Sequence, residues 1–214
     1  MSKLTKALLV LFGVLLLDQG LKIWIKTNMF IGQEFNVIGN FFILHFTENN
    51  GMAFGFELAG DYGKIILSLF RIAAVGAIAW FLYKLTKKEE SSMFLIVSVT
   101  LVLAGAIGNI LDSAFYGIIF NESYYQVASI FPDEGGYSSF LHGRVVDMLY
   151  FPILEGHFPS WFPIWANEEF IFFRPVFNIA DSSITVGVLL ILLFQRNIFN
   201  TKSIDNKEVA IQAE

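Results

Sequence analysis

The sequence predicts an all-α membrane protein with four transmembrane helices, a small extracytoplasmic β-rich segment and an extended second outer loop. Hydrophobic residues make up 55% of the 214 residues and charged residues only 15%, a composition too apolar for an ordinary soluble domain of this length. Four apolar stretches approach the ~20 residues that cross a ~30 Å hydrocarbon core. A bilayer is therefore the expected solvent of most of the chain.

The predicted helices cover about residues 6–25, 64–83, 93–112 and 176–194. The first stretch has one alternative, because Lys3 and Lys6 precede the apolar run 7–17 as in a cleavable signal peptide. No small-x-small cleavage site follows, however, and the stretch continues well beyond that run, which favours a retained span. We expect residues 1–214 to form a single membrane-embedded domain.

Lysine and arginine residues next to the predicted spans set the orientation. They are concentrated at the N-terminus, in the connection after the second helix and in the tail of about 195–214: Lys3, Lys6, Lys84, Lys87, Lys88, Arg196, Lys202 and Lys207. These three regions, and with them both termini, are expected to be cytoplasmic. The segments of about 28–63 and 113–175 hold only Arg144 and Arg174 between them, so they are expected to lie outside.

The two predicted outer segments differ in character. The first has β-branched and aromatic residues at 35–38 and 41–46, followed by Asn49-Asn50-Gly51, which predicts short strands closed by a turn. The second is rich in aromatic residues between 116 and 173. Such rings suit the headgroup level of a bilayer or the core of a small folded cap, and the sequence supports both interpretations equally.

The same composition excludes several kinds of site. The chain has no cysteine, and hence no thiolate nucleophile and no zinc–thiolate site. Its three histidines are scattered along the sequence, so a dedicated metal site is not expected. The formal net charge is -5 and the basic residues form no stripe, so we expect no nucleic-acid binding.

Polar residues occur inside the predicted spans, where a charge costs about 2.5–3.5 kcal/mol and needs a partner or a function. They form pairs on one helical face, three or four residues apart: Asp18 with Lys22, Asn109 with Asp112, and Asn178 with Asp181. With the orientation above, all these pairs fall near one outer depth. Asp147, which precedes the fourth helix in the same outer layer, adds a further carboxylate there.

These carboxylates have more than one interpretation. Each could pair with a cation and hold the bundle together, as we expect for Asp18 with Lys22. Asp147 and Asp181 have no near-sequence basic partner except Arg144, so they could form a like-charged pair facing water. One of two adjacent carboxylates keeps a proton while the other can deprotonate a water, which suits peptide-bond hydrolysis. A proton relay in a small transporter, or a purely structural role, fits the same residues.

Five segments together resemble lipoprotein signal peptidase, also called signal peptidase II. They are Asp18-Gln19-Gly20-Leu21-Lys22, Asn49-Asn50-Gly51-Met52-Ala53-Phe54, Gly105-Ala106-Ile107-Gly108-Asn109-Ile110-Leu111-Asp112, Gly143-Arg144-Val145-Val146-Asp147 and Phe177-Asn178-Ile179-Ala180-Asp181. Each segment alone is weakly specific. Their order, on four helices of the inferred orientation, makes the resemblance specific from about Leu4 to Phe194.

The resemblance implies an aspartic endopeptidase that cleaves diacylglyceryl-modified prolipoproteins on the N-terminal side of the lipidated cysteine. It implies that Asp147 and Asp181 are the catalytic dyad. It also implies that other residues support the site or bind substrate: Asp18, Lys22, Asn49, Gly51, Asn109, Asp112, Arg144 and Asn178. The expected enzyme belongs to the bacterial inner membrane, faces the periplasm, uses no metal or cofactor, contacts membrane lipid and is sensitive to the cyclic peptide globomycin.

The sequence departs from the family pattern in two places. The family's usual arginine after the aspartate that ends the third helix is replaced by Ser113. We hypothesise that Arg71 or Arg144 supplies the missing charge. The stretches 113–141 and 148–176 are longer than the family's usual links, and they could form a substrate lid, a partner surface or padding.

Overall fold

The structure is a computed structural model that describes residues 1–50, 60–152, 154–163, 165, 167–172 and 175–193. Its long helices are α1 (Lys3–Asn28), α2 (Gly60–Lys87), α3 (Met93–Leu111) and α4 (Ile179–Leu193). Within the described residues, three helical stretches are long and apolar enough to cross a membrane: Lys3–Asn28, Gly63–Lys87 and Met93–Ile119. The fourth helix, α4, is also apolar but shorter. The prediction of an α-helical membrane protein is therefore confirmed.

The outer surfaces of these helices are apolar, as expected for a protein dissolved in lipid. Leu16 on α1, Phe70 on α2 and Leu193 on α4 are 75%, 71% and 72% exposed. Small and polar side chains are also buried inside the bundle, beside aliphatic residues such as Leu11, Ile96 and Leu103, because small residues let membrane helices pack closely. An ideal Cβ added to Gly108 of α3 would lie 2.7 Å from Asp18 Oδ2 and 3.1 Å from Ala180 Cβ. Glycine at this position lets α1, α3 and α4 meet closely.

Helix α3 ends at Leu111, one residue before its predicted end, but the helical path of the chain continues beyond it. The chain continues from Leu111 as a π-helical turn, Asp112–Tyr116, and then as a last turn, Gly117–Ile119. The prediction placed Asp112 at the outer end of this helix. Asp112 is instead fully buried and ion-paired, so the helix passes through this position. Such π-turns are frequent at functional sites.

A three-stranded antiparallel sheet covers one end of the helices, with the strand order β1-β2-β3. Strands β1 (Glu34–Ile38) and β2 (Phe42–Asn49) form the hairpin that the sequence predicts. Strand β3 (Val145–Tyr150) comes from the second outer segment and was not predicted. A separate hairpin pairs β4 (Leu154–His157) with β5 (Glu169–Phe172).

One face of the three-stranded sheet packs against the ends of α1 and α3. Its core includes Ile25, Phe46, Phe120, Val146 and Met148. Burial of Phe120 in this core shows that part of the aromatic second segment forms a folded cap. Other rings of the same segment are highly exposed: Tyr125, Phe131 and Trp161. The folded cap is therefore confirmed for part of the segment, and a headgroup position for the exposed rings stays a prediction.

Candidate active site

Asp147 lies on β3 with its side chain buried and both carboxylate oxygens hydrogen-bonded. Its Oδ1 accepts a hydrogen bond from Asn178 Nδ2 at 2.7 Å, and its Oδ2 accepts one from the side-chain amide of Asn49. Asn49 is the last residue of β2 and pairs with Val145, which brings its amide beside Asp147. Two strands and the approach to α4 therefore orient one carboxylate.

Asp181 lies in the first turn of α4, where the helix dipole favours negative charge. Asn178 precedes this helix, and its Oδ1 accepts a hydrogen bond from the backbone N–H of Asp181 at 2.8 Å, as a helix-capping side chain does. The Oδ1 of Asp181 accepts a bond from Asn109 Nδ2 at 2.7 Å. Asn178 Nδ2 also donates to Asn109 Oδ1 at 3.1 Å. The two aspartates are thus linked through two asparagine amides.

The electrostatics of this pair favour one retained proton. Burial, followed by the negative charge of Asp181, raises the pKa of Asp147 to about 7. The positive charge of Lys22 and the hydrogen bond from Asn178 oppose this shift and lower the pKa. Near neutral pH the pair can therefore hold an acid and a base side by side.

Lys22 lies beneath the pair and is completely buried among carboxylates. Its Nζ is 2.9 Å from Asp18 Oδ2 and 2.8 Å from Asp112 Oδ2, and it donates to Asn109 Oδ1 at 3.0 Å. The predicted Asp18–Lys22 pair is present, but Lys22 is shared with Asp112. A charged group so far from water requires this number of partners.

Asp18 and Asp112 also connect this charged group to the elements that carry the dyad. Asp18 Oδ1 accepts a hydrogen bond from the backbone N–H of Ala180, next to Asp181, at 2.8 Å. Asp112 Oδ2 accepts one from the backbone N–H of Val146, next to Asp147, at 3.2 Å. Each carboxylate therefore holds the backbone beside one member of the dyad.

Gln19 belongs to this network, although the sequence reasoning gave it no role. Its Nε2 donates to Asp18 Oδ2 at 3.1 Å, to the carbonyl of Gly108 at 3.2 Å and to Asp112 Oδ1 at 2.9 Å. Its Oε1 accepts a bond from the hydroxyl of Tyr116 at 3.2 Å. An amide inside an apolar span carries a desolvation cost of its own, and that signal was available in the sequence.

The structure does not bring every predicted residue to the dyad. Arg144 turns away and forms ion pairs with Glu48 at 2.9 Å and Glu122 at 2.5 Å. Arg71 on α2 instead interacts electrostatically with Asp181 and Asp112, which favours Arg71 as the replacement for the missing arginine. The Ser113 hydroxyl donates to the carbonyl of Asn109 at 3.1 Å. Gly51 lies outside the described residues.

The chemistry of the site follows from these groups. Among the described residues, no group of three or more histidine, aspartate or glutamate side chains is arranged to hold a metal ion. Asp18 and Asp112 are both ion-paired with Lys22, whereas the side chains of Asp147 and Asp181 accept hydrogen bonds from asparagine amides. Such a pair can activate a water for hydrolysis or relay protons.

Comparisons with known proteins distinguish between hydrolysis and proton relay. A family model described as Signal peptidase (SPase) II matches residues 10–196. The lipoprotein signal peptidase of Porphyromonas gingivalis is 52% identical over 192 residues, which cover 90% of this chain and 82% of the relative. That of Amoebophilus asiaticus is 38% identical over 199 residues, covering 90% of this chain and 80% of the relative.

Two solved structures, both described as bacterial membrane enzymes, have the same fold. One aligns with a TM-score of 0.61 at 27% identity and covers 92% of this chain and 91% of the solved chain. The other aligns with a TM-score of 0.58 at 29% identity and covers 88% and 91%. The region matched by the family model includes both aspartates and every side chain that links them. The chain belongs to the signal peptidase II family.

Proposed function

We propose that this chain removes signal peptides from lipoprotein precursors, with Asp147 and Asp181 as its catalytic acid and base. As a member of the signal peptidase II family the chain is a protease, and its relatives are named lipoprotein signal peptidases. The observation that carries the assignment of the dyad is their joint placement. Asn178 contacts both aspartates, and burial together with the Asp181 charge raises the pKa of Asp147.

In the proposed reaction, ionised Asp181 takes a proton from a water while the water oxygen attacks the scissile carbonyl carbon. Protonated Asp147 gives its proton to the carbonyl oxygen, so that a neutral tetrahedral diol forms. Asp181 then returns its proton to the leaving amine nitrogen, and Asp147 recovers a proton from the diol as the C–N bond breaks. The products are the signal-peptide carboxylic acid and the free amine of the mature chain.

The other polar residues of the site act on the dyad rather than on the peptide bond. Asn49, Asn109 and Asn178 orient the carboxylates through their amides. Lys22 sits between Asp18 and Asp112, which hold the backbone next to each catalytic aspartate. Arg71 supplies the cation near Asp181 that the family places after the third helix.

The proposed substrate is a precursor whose cysteine carries diacylglycerol, cut on the N-terminal side of that cysteine. Such a substrate is anchored in the bilayer, and the dyad lies beside Asn109 in the last turn of α3 and at the start of α4. A lipid-anchored cleavage site and this dyad would therefore meet at one membrane surface. A globomycin-type inhibitor is expected to compete there.

We further propose that the chain is a single domain of the bacterial inner membrane with both termini in the cytoplasm and the dyad facing the periplasm. Lys84 and Lys87 in the last turn of α2 support this orientation. The chain has no cysteine, so single cysteines report topology directly. In intact spheroplasts, a membrane-impermeant maleimide is expected to label Ser160→Cys, whereas Glu90→Cys should react only after permeabilisation. The reverse labelling pattern would refute the orientation.

The proposed activity is tested with the purified protein in detergent and in sealed vesicles. The detergent sample receives two synthetic precursors, one with a diacylglyceryl cysteine and one with the same sequence unlipidated. The expected result is cleavage of the lipidated precursor immediately before its cysteine, read by mass spectrometry, and no proton flux in the vesicles. Proton flux without cleavage would instead favour a transporter.

The pH dependence of cleavage follows from the Asp147 carboxyl group. Because its pKa is raised to about 7, the proton is retained below that pH and lost above it, so kcat is expected to fall as pH rises through about 7. Asn178→Ala removes a hydrogen bond that favours the ionised form. The falling limb of the Asn178→Ala profile should therefore move to higher pH. A limb that stays in place or moves to lower pH would count against Asp147 as the acid.

A further inference from the structure

A second group of charged side chains lies on the far side of β2 and β3 from the dyad. It consists of Lys26, Glu48, Glu122 and Arg144, called here the charge cluster. Lys26 is ion-paired with Glu48, and Glu48 Oε2 accepts a hydrogen bond from Arg144 Nη1 at 2.9 Å. Arg144 also binds Glu122 through two bonds, at 3.0 Å and 2.5 Å. Two cations and two anions make the charge cluster neutral.

The charge cluster is enclosed, which makes its geometry specific. Lys26 and Glu48 are 0% and 1% exposed, so neither charge can replace its partner with water. The Tyr137 ring lies 4.9 Å from Lys26 Nζ and 4.5 Å from Arg144 Cζ. The Tyr137 hydroxyl also accepts a hydrogen bond from the backbone N–H of Arg144 at 2.7 Å. The residues that enclose the charge cluster thus come from the long second outer segment.

The alternation of side chains along β-strands separates the charge cluster from the dyad. In this sheet Thr47 pairs with Asp147, Glu48 with Val146, and Asn49 with Val145. Asn49 and Asp147 therefore lie on one face, and Glu48 lies on the opposite face beside the apolar core. The charge cluster touches no member of the dyad, but Glu48 is the immediate neighbour of the residue that holds Asp147.

The register of β2 against β3 changes just before these pairs. Leu44 pairs with Leu149, but Thr47 pairs with Asp147, so a bulge in β2 shifts the register by one residue between the two pairs. Apolar contacts before the bulge do not determine the register after it. A slip of one residue would turn Asp147 to the opposite face. At the dyad end, a polar contact between the two strands can fix the register together with burial of Val146.

We propose that the charge cluster is this contact, and that Glu48 is a positioning residue for catalysis. Glu48 on β2, locked by Arg144 and Lys26, fixes the register that places the Asn49 amide against Asp147. The long second outer segment closes the charge cluster through Glu122 and Tyr137, so this part of the segment belongs to the site scaffold. The inference rests on the proposed catalytic role of Asp147.

The test compares Glu48→Gln with Glu34→Gln in purified full-length protein. Glu34 lies on edge strand β1 of the same sheet, and its exposed side chain pairs with a half-buried histidine, His45, so its variant is the matched control. For Glu48→Gln we expect kcat to fall by about 10–100-fold while KM changes little. The pH at which kcat falls should also rise, because Asp147 loses the hydrogen bond from Asn49. Glu48→Asp should recover part of the loss, and Glu34→Gln should match wild type.

A double-mutant cycle shows whether Glu48 acts through Asn49. If it does, adding Glu48→Gln to Asn49→Ala lowers kcat no further than Asn49→Ala alone. If the falls in kcat of the two single variants multiply in the double variant, the positioning role is overturned. A wild-type kcat and pH profile for Glu48→Gln would overturn it as well. If Glu48→Gln does not fold, Glu122→Gln serves as the test variant, because the Glu122 side chain is 42% exposed and its replacement should not prevent folding. A smaller fall in kcat, with the same shift of the pH profile, is then expected.

The failure of this inference is distinguishable from failure of the proposed function. Infrared titration of the Asp147 carboxyl band does not depend on turnover. If wild type cleaves nothing, the proposed function fails. A higher pH for the loss of the Asp147 carboxyl band in Glu48→Gln than in wild type would still support the positioning role of Glu48. If wild type cleaves and the Glu48→Gln titration equals that of wild type, only the inference is wrong.

Discussion

Replacing either Asp147 or Asp181 with asparagine is expected to lower kcat for precursor cleavage by about 10³-fold or more, because the site loses its acid or its base. Asparagine has nearly the same shape as aspartate. Its Oδ1 can still accept one hydrogen bond, as from Asn178 at position 147 or from Asn109 at position 181, but its Nδ2 cannot accept the bond that Asn49 donates to Asp147. The measurement is single-turnover cleavage of a diacylglyceryl-modified precursor, read by mass spectrometry. The double variant should be little worse than either single variant, since the two aspartates act as a unit.

The control for this prediction is Asp133→Asn in the second outer segment. Asp133 is exposed, and its variant should cleave at the wild-type rate. Thermal unfolding in detergent should show that both dyad variants are folded. Undiminished cleavage by Asp147→Asn or by Asp181→Asn would remove that residue from the proposed mechanism.

Replacing Lys22 with methionine is expected to have the largest effect on stability. The change leaves Asp18 and Asp112 buried close together without the cation that both contact, and breaking a buried ion pair in this way costs about 3–5 kcal/mol. Cleavage should fall as well, because these carboxylates hold the backbone beside the dyad. The measurement is denaturant unfolding in a fixed detergent, together with the cleavage rate.

Lys6→Met is the matched control, since Lys6 lies on the same helix and is exposed. An exposed substitution of this kind changes stability by about 0.5 kcal/mol or less. Equal unfolding midpoints for Lys22→Met and Lys6→Met would show that the buried charge network contributes little. In that case, the dyad would need another source of rigidity.

The helices and the depth of the site were predictable because both depend on properties that are local in sequence. The length of an apolar stretch predicts a span, and a costly polar side chain inside a span predicts a partner. The common depth of Asp18, Lys22 and Asp112 followed once an orientation was inferred, but the sharing of Lys22 with Asp112 was not predicted. Gln19 obeys the same rule, and it could have been included.

Strand β3 was not predictable by the same means. Its residues 145–150 form a short, mostly apolar run, and periodicity does not separate such a run from part of a buried helix. Its register against β2 depends on a bulge and on cross-strand contacts between residues about a hundred positions apart. Contacts of that kind become visible only in three dimensions.

The missing arginine shows the same limit. From sequence, Arg71 and Arg144 were equal candidates for the charge that Ser113 does not supply. Arg144 is close to Asp147 in sequence and immediately precedes β3, but its guanidinium forms ion pairs with Glu48 and Glu122 rather than with the dyad. Arg71 is far from Asp181 in sequence, yet it interacts electrostatically with that carboxylate.

The central claim is that Asp147 and Asp181 share one proton near neutral pH, and infrared titration of the carboxyl groups tests it most directly. Wild type should show a carboxylic acid band that is lost as pH rises through about 7, and Asp147→Asn should lack that band. The band should be measured on the same samples used for cleavage, so that its loss can be compared with the fall in kcat. Complete ionisation of Asp147 well below that pH, with cleavage still at full rate, would contradict the shared proton.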